Sequence, residues 1–338
     1  MLVEVLDRVA TGANLAPHEM AAAVGRMLDQ DCPPAQIAAL LTAIRVKGET
    51  VGEMVGAAEA LRANAVRLPL AAQPDLCTAG TGGDGKGTIN LSTLAALIAA
   101  AAGVSVAKHG NRSVSSRCGS ADVLEALGIP TTLGADAAAR AITTDGFAFL
   151  FAPLYHPATK AVAGVRRALG IRTLFNLLGP LTNPAGVRSQ LVGVYHPEKL
   201  MPMAEALAAL GVERAMVVSA EIGLGEIAPE GVTRAVVVER GDLTAVSLTP
   251  ASFNLPTTPL AAIEGGDAAT NAAIVRAVLS GAPHPARTAA LMNAAAALFA
   301  AGRVSTLPAG VDLAARTIDT GAAVRLLDRL ATPVQAAA

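Results

Sequence analysis

Between Leu76 and Leu248 short apolar runs alternate with helical ones, and no other feature of the chain restricts its fold as strongly. Leu76–Ala79, Val104–Ala107, Phe147–Phe151, Gln190–Tyr195 and Ala215–Ser219 have the length and flanks of strands. Leu94–Ala102 and Val123–Leu127 read as helices between them. Strand and helix in alternation predict a parallel-leaning α/β sheet. Thr233–Glu239 and Leu243–Leu248, joined at Arg240-Gly241-Asp242, break the alternation and read as an antiparallel hairpin. Before Leu68-Pro69 the spacing is helical throughout: Leu2–Val9, Met20–Leu28 after Pro17, Ile37–Val46 after Pro33-Pro34, and Val51–Ala65. Thr50 and Glu53 form a capping box at the start of the last of these. Helical sequence returns from Asp267 onward.

A chain of 338 residues can bury a sizeable core. Its apolar share is 52% but its aromatic share only 2%, so alanine carries much of the packing, which favours close helices. The formal charge of −1 gives no electrostatic footprint for nucleic acid, and any phosphate must be held by a local site. Cys32, Cys77 and Cys118 are odd in number and lack paired spacing, which points to a reducing compartment. Leu2–Asp7 is amphipathic and unlike a signal peptide. Gly87 to Ala107 carries no charge, yet Asn90, Ser92, Thr93 and Gly103 mark it as loop, buried helix and strand. The expectation is a soluble cytoplasmic protein without membrane or nucleic-acid partners.

Gly80-Thr81-Gly82-Gly83-Asp84-Gly85-Lys86-Gly87 places five glycines in eight positions between a strand and a helix. Such a loop can turn its N–H groups onto phosphate oxygens, aided by the following helix N-terminus. It contains a dinucleotide fingerprint, but Val104–His109 offers Lys108 where a ribose-binding acid is needed. It also approaches a Walker A loop, but Gly87 replaces the metal-binding hydroxyl. A phosphorylated ligand is expected, and neither a nicotinamide cofactor nor ATP. Ser92 and Thr93 are either N-caps or hydroxyls for phosphate and Mg²⁺. Lys108 through Ser116 reads as a polar loop after the second strand. Lys108 and Arg112 can neutralise phosphate, Ser115 and Ser116 can donate to it, and Asn111 can pair with a polar substrate group. Ser120 offers a helix cap or a further hydroxyl.

Taken together, Gly80-Thr81-Gly82-Gly83-Asp84, Asn90-x-Ser92-Thr93, Lys108-His109-Gly110-Asn111-Arg112 and Gly119-Ser120-Ala121-Asp122 resemble the signature of anthranilate phosphoribosyltransferases. Phe151–Ala158 and Arg166–Pro184 match as well, so the likeness covers nearly the whole chain. It implies a reaction joining the amine of anthranilate to C1 of phosphoribosyl pyrophosphate. It also implies that Gly83, Asp84, Thr88, Asn90, Ser92, Thr93, Lys108, Ser116 and Ser120 hold that co-substrate, with Mg²⁺ on Ser92. Gly80, Asn111 and Arg166 would meet anthranilate, with His156 and Pro180 in the same channel, Gly80 and Asn111 serving both substrates. An aryl amine is neutral at pH 7, so stabilising the departing diphosphate matters more than a general base. The implied architecture is a small all-helical domain (1–68 with 158–184) beside a larger α/β domain (69–157 with 185–338). An active site in the cleft between them, hinge closure and a homodimer through the helical domain complete what the resemblance implies.

One segment departs from that family pattern. An adjacent Asp-Glu pair that binds Mg²⁺ is usual after the strand Ala215–Ser219, but here the residues are Gly225-Glu226. Ile222 stands where an acid is common, and Ser219-Ala220 replaces a frequent His-Gly. One Mg²⁺ bridging Ser92, Glu226 and diphosphate is expected. Two other readings compete: a non-catalytic phosphoribosyl pyrophosphate-binding paralogue, and a pyrimidine nucleoside phosphorylase, against which the Asn111-Arg112 loop and the Arg166 segment count.

Overall fold

The computed structural model describes residues 2–113 and 117–331. Its first quarter is helical: α1 (Leu2–Ala10), α2 (Pro17–Leu28), α3 (Pro34–Lys47) and α4 (Val51–Ala63). Thr50 caps α4, its hydroxyl accepting from the Glu53 N–H at 3.2 Å while the Glu53 carboxylate accepts from the Thr50 N–H at 2.9 Å. Glu53 also accepts from the Leu15 N–H at 3.0 Å and from Lys47 Nζ at 2.9 Å, so one buried carboxylate ties three segments together.

Seven strands follow: β1 (Leu76–Gly80), β2 (Val106–Gly110), β3 (Phe147–Phe151), β4 (Ser189–Gly193), β5 (Arg214–Ala220), β6 (Thr233–Glu239) and β7 (Asp242–Leu248). They form one sheet in the order β3-β2-β1-β4-β5-β6-β7, parallel from β3 to β5, with β6 and β7 an antiparallel hairpin at one edge. Between and after them come α5 (Leu91–Ala101), α6 (Ser120–Ala126), α7 (Ala135–Asp145), the short α8 (Ala152–Tyr155), α9 (Lys160–Leu169), the short α10 (Phe175–Leu178) and α11 (Leu200–Ala209). The chain closes with α12 (Ala268–Leu279), α13 (Arg287–Ala300), α14 (Leu307–Asp319) and α15 (Ala322–Ala331).

Alternation along β5 shows how the layers form, because successive strand side chains point to opposite faces. Met216 and Val218 join the cluster of α5 and α13, whereas Ala215 and Val217 join that of α11 and the N-terminal helices. The alanines of α5 and α13 let those helices approach closely. A Cβ on Gly310 of α14 would lie 2.9 Å from Ala295, so α14 is pressed against α13 equally tightly. On the other face one apolar cluster runs from α1–α4 through α9, α10 and α11 to Val192, Val217 and Val236 of the sheet. The segment after residue 158 thus packs back against α2 and α3.

Two elements differ from their sequence expectation in a way that moves expected site residues. β2 begins at Val106, so Lys108 and His109 are strand residues and not part of a solvated loop. α5 begins at Leu91 with Asn90 at the N-cap, which places Ser92 and Thr93 inside the first turn and rules them out as caps. The uncharged stretch from Gly87 divides into loop, α5 and the entry to β2, and no helix among the described residues is long and apolar enough to cross a membrane.

Candidate active site

Strand order reverses direction between β1 and β4, since β2 and β3 lie on one side of β1 while β5 lies beyond β4. In open parallel sheets the crevice at the carboxyl ends of such neighbours is where ligands bind. Here the glycine loop leaves β1 beside Gly193 of β4, and the Thr81 N–H donates to the Gly193 carbonyl at 2.9 Å. The 111–113 segment leaves β2, and the 221–226 loop leaves β5, so all the phosphate-type motifs converge on one edge.

Lys108, Ser92, Glu226 and Asp84 meet at the floor of this crevice. Lys108 is fully buried, and its Nζ donates to the Thr78 carbonyl at 2.7 Å, to Thr78 Oγ1 at 3.2 Å and to Ser92 Oγ at 3.3 Å. Burial pushes its pKa down to about 8, opposed by the nearby Cys77 and Glu226. The Glu226 carboxylate accepts from the Ser92 N–H at 2.9 Å. Glu226 keeps a window onto the crevice, yet protein surrounds its carboxylate closely enough that desolvation raises its pKa to about 8, with Asp84's charge adding to the rise. A desolvated carboxylate that resists ionising, with a second carboxylate and a hydroxyl close by, is a donor set that fits a hard divalent cation. Among the described residues no cluster of three His, Cys, Asp or Glu side chains is present, consistent with the gap at Gly225. There the Gly225 N–H donates instead to Asp84 Oδ2 at 3.1 Å. Asn293 of α13 clamps the next residue, accepting from the Ile227 N–H at 3.1 Å and donating to its carbonyl at 2.9 Å.

The other expected phosphate-side residues are distributed unevenly. Gly80 ends β1, its absent Cβ leaving room for the Gly193 carbonyl, and Gly83 adopts φ +74°, a left-handed conformation suited to glycine. Thr88 pairs with Glu264 in an isolated bridge that pins the far side of the glycine loop. Asn90 is held by protein on both ends of its amide, donating to the Cys118 carbonyl at 3.2 Å and accepting from Asn271 at 3.0 Å. Thr93 is fully buried within α5, its hydroxyl without a hydrogen-bond partner among the described residues. Asn111 uses its carbonyl to accept from Ser120 Oγ at 3.1 Å, so that hydroxyl closes a turn and does not cap α6, whose N-cap is Gly119. Arg112 reaches back to α6, paired with Asp122 at 2.9 Å and with Glu125. Ser115 and Ser116 lie outside the described residues.

On the opposite wall, His156 Nε2 contacts the Thr182 carbonyl at 2.8 Å and His109 Nδ1 contacts that of Gly179 at 3.1 Å, the two rings lying 5.2 Å apart. Burial pushes the His109 pKa down to about 3, with the neighbouring His156 adding to the fall, and burial also lowers that of His156; both are neutral at pH 7. Pro180 is buried in the turn they grip. Arg166 of α9 lies over the Phe175 ring at 5.3 Å and has no carboxylate within ion-pair distance among the described residues. That leaves its fork free for an incoming carboxylate.

Sequence reasoning missed Thr78, His109, Asn271 and Asn293 as neighbours of the site. A lone asparagine inside the alanine run of α13 was the one readable sign, because a buried amide needs partners. Thr78 and His109 looked like ordinary strand and loop residues.

Residues 73–324 match the glycosyl transferase family, a/b domain, and residues 3–65 match the glycosyl transferase family, helical bundle domain. A two-part glycosyl transferase enzyme is therefore the class that this fold and crevice define. Over 335 residues the chain is 49% identical to the anthranilate phosphoribosyltransferase of Moorella thermoacetica, covering 99% of each. The crystal structure of the Thermus thermophilus anthranilate phosphoribosyltransferase superposes with a TM-score of 0.90 at 44% identity, over 96% of this chain and 98% of that one. The Saccharomyces cerevisiae enzyme in complex with PRPP and Mg gives 0.89 at 28% identity, over 97% and 96%. The chain belongs to the anthranilate phosphoribosyltransferase family. That membership favours the transferase over the nucleoside phosphorylase reading.

Proposed function

We propose that the crevice transfers the phosphoribosyl group of 5-phospho-α-D-ribose 1-diphosphate to the amine of anthranilate, giving N-(5-phosphoribosyl)anthranilate and diphosphate in tryptophan biosynthesis. The observation that carries this reading is the convergence of Lys108, Ser92, Glu226 and Asp84 beneath the glycine loop. Glu226 and Ser92 Oγ, with Asp84 alongside, would hold Mg²⁺, which offsets the charge of the leaving diphosphate when bound. Lys108 places a cation beside Ser92, where the same leaving group needs one. Gly83 and Asp84 present backbone N–H groups from the loop, Thr88 pins its far side, Asn90 ties the start of α5 to Cys118 and Asn271, and Ser120 holds the turn at Asn111. Arg166 meets the anthranilate carboxylate as a planar fork, and neutral His109 and His156 line the acceptor side without adding charge. No residue is assigned as a general base, because the aryl amine attacks in its neutral form.

Residues 1–68 with 158–184 serve as the acceptor-side helical domain in this reading, and 69–157 with 185–338 as the phosphoribosyl side, in a cytoplasmic homodimer. Supporting a dimer is an apolar groove between α1 and α3, lined by Leu6, Val9, Ala39 and Ala43 and rimmed by Val46, a residue 83% exposed. The test is anthranilate consumption followed by fluorescence, with phosphoribosyl pyrophosphate and Mg²⁺ titrated from micromolar to millimolar. Turnover supports the transferase. Binding of phosphoribosyl pyrophosphate without turnover at any Mg²⁺ would replace it with the non-catalytic paralogue.

A further inference from the structure

Arg172 has no part in the roles derived so far, yet it makes the most direct link between the two walls of the crevice. It leaves the turn between α9 and α10 and crosses to the glycine loop. Its Nη1 donates to the Gly82 carbonyl at 3.3 Å and its Nη2 to the Gly83 carbonyl. Its guanidinium carbon stands 3.8 Å from the ring centroid of Tyr195, just beyond β4, a stacking distance. Tyr195 is itself fixed, since its N–H donates to Thr81 Oγ1 at 3.2 Å. A Cβ on Gly83 would lie 2.7 Å from Nη2, so the loop and the arginine are fitted to each other.

A trans peptide unit points its C=O and its N–H in opposite directions. Drawing the Gly82 and Gly83 carbonyls toward Arg172 therefore turns the N–H groups of Gly83 and Asp84 away from it. Among the described residues neither N–H donates to a protein acceptor. Gly82, Gly83, Gly85 and Gly87 all have left-handed φ, and a loop of that composition samples many conformations unless something outside it selects one. An arginine held on an aromatic platform can make that selection before any ligand arrives, which is the condition for a preorganised anion cradle.

We propose that Arg172, seated on Tyr195, is a positioning residue that sets the glycine loop as a diphosphate cradle by fixing the Gly82 and Gly83 carbonyls. Because Arg172 belongs to the segment that also carries Arg166, it ties the shape of the cradle to the acceptor wall. The inference rests on the phosphoribosyl pyrophosphate reading above. Its test separates the two by measuring the loop directly as well as ligand binding.

Wild type, Arg172→Ala, Arg172→Lys and Tyr195→Leu are compared by amide hydrogen exchange over residues 80–87 without ligand, and by calorimetric binding of inorganic diphosphate with Mg²⁺. Loss of a charge-assisted fork is expected to weaken diphosphate binding about ten- to a hundredfold in Arg172→Ala. Exchange at the loop's hydrogen-bonded amides, Thr81 and Lys86, should quicken in the same variant at an unchanged melting temperature. In turnover, KM for phosphoribosyl pyrophosphate should rise more than kcat falls, with KM for anthranilate less affected. Arg172→Lys recovers little, since an ammonium cannot grip two carbonyls as a fork does. Tyr195→Leu shifts both readouts in the same direction by a smaller amount. Unchanged exchange overturns the proposal, including the case in which binding falls, which would make Arg172 a direct ligand of the diphosphate. Quickened exchange in a protein whose wild type ignores diphosphate would leave Arg172's positioning role in place and remove the substrate reading.

Discussion

Glu226 shows how a single side chain records the chemistry its surroundings expect. Its ordinary value of 4.5 is pushed up to about 8, so across that interval the metal-free native state keeps a proton that the unfolded chain has lost. Stability contributed by this group is complete below about 4.5 and disappears as pH rises through about 8. Lys108, pushed down to about 8 from 10.5, contributes stability above that range that is lost as pH falls through about 8, and so leaves the lower window clear. His109 and His156, held below their ordinary value of 6.5, add stability that rises with pH and offset this slope below about 6.5. Stability in denaturant melts of metal-free protein should therefore fall with pH between about 6.5 and 8 in a way that Glu226→Gln flattens; equal slopes in the two proteins over that window would refute this. Mg²⁺ binding at pH 7 should release a proton, because the metal takes the carboxylate form.

Gly225 is the residue-scale counterpart. A Cβ there would sit 3.5 Å from the Val194 carbonyl and 3.6 Å from Asp84 Oδ2, so an aspartate has room. Gly225→Asp should lower the Mg²⁺ needed for half-maximal activity. It should also lower the melting temperature in chelator, where three carboxylates crowd together, and regain it with Mg²⁺. If neither quantity moves, the missing aspartate is irrelevant to metal binding.

At the scale of elements, two contacts decide whether the site and its scaffold hold. A Cβ on Gly193 would lie 1.7 Å from the Gly225 carbonyl, so the end of β4 and the loop bearing Glu226 touch backbone to backbone. Gly193→Ala must push that loop away. Expected is a marked loss of diphosphate affinity with the far-ultraviolet dichroism retained, and retained affinity would count against the contact's importance. In the N-terminal helices, Glu53→Ala removes the carboxylate that Lys47 and the Leu15 and Thr50 N–H groups share and should cost about 3 kcal/mol in urea melts. Thr50→Ala removes only the cap and should cost about 1 kcal/mol. Element identities were legible because their periods are local: β3 and β6 span the very residues their apolar runs mark. β2 reads as Val104–Ala107 in the sequence but ends three residues later, at Gly110; Lys108 and His109 are polar, and no local pattern announces a buried lysine with partners on a neighbouring strand and helix.

For the molecule as a whole, the apolar groove between α1 and α3 bears on assembly. In the dimer reading Val46 is covered by a second copy, so Val46→Glu should shift sedimentation from dimer toward monomer. A wild type that sediments as a monomer at micromolar concentration would remove the reading. The continuous cluster from α4 through α11 to the sheet also means that the N-terminal helices and the sheet share apolar packing on that face.

Short-range patterns carried the α/β alternation and the family resemblance, and they are the whole basis for reading the glycine loop as an anion site. These depend on residues a few positions apart, whose types and spacing set backbone conformation directly. What only the tertiary structure decided was partnership. It turned Arg112 onto Asp122 and Glu125, engaged Asn90 with Asn271, set Asn293 behind Glu226 and sent Arg172 across to the glycine loop. Ser92 and Glu226 are 134 positions apart in the chain, and their 2.9 Å contact exists because parallel strands gather their carboxyl ends at one edge of the sheet. The desolvation of Glu226 and Lys108, and with it their shifted ionisation, follows from that gathering and from no local feature of the chain.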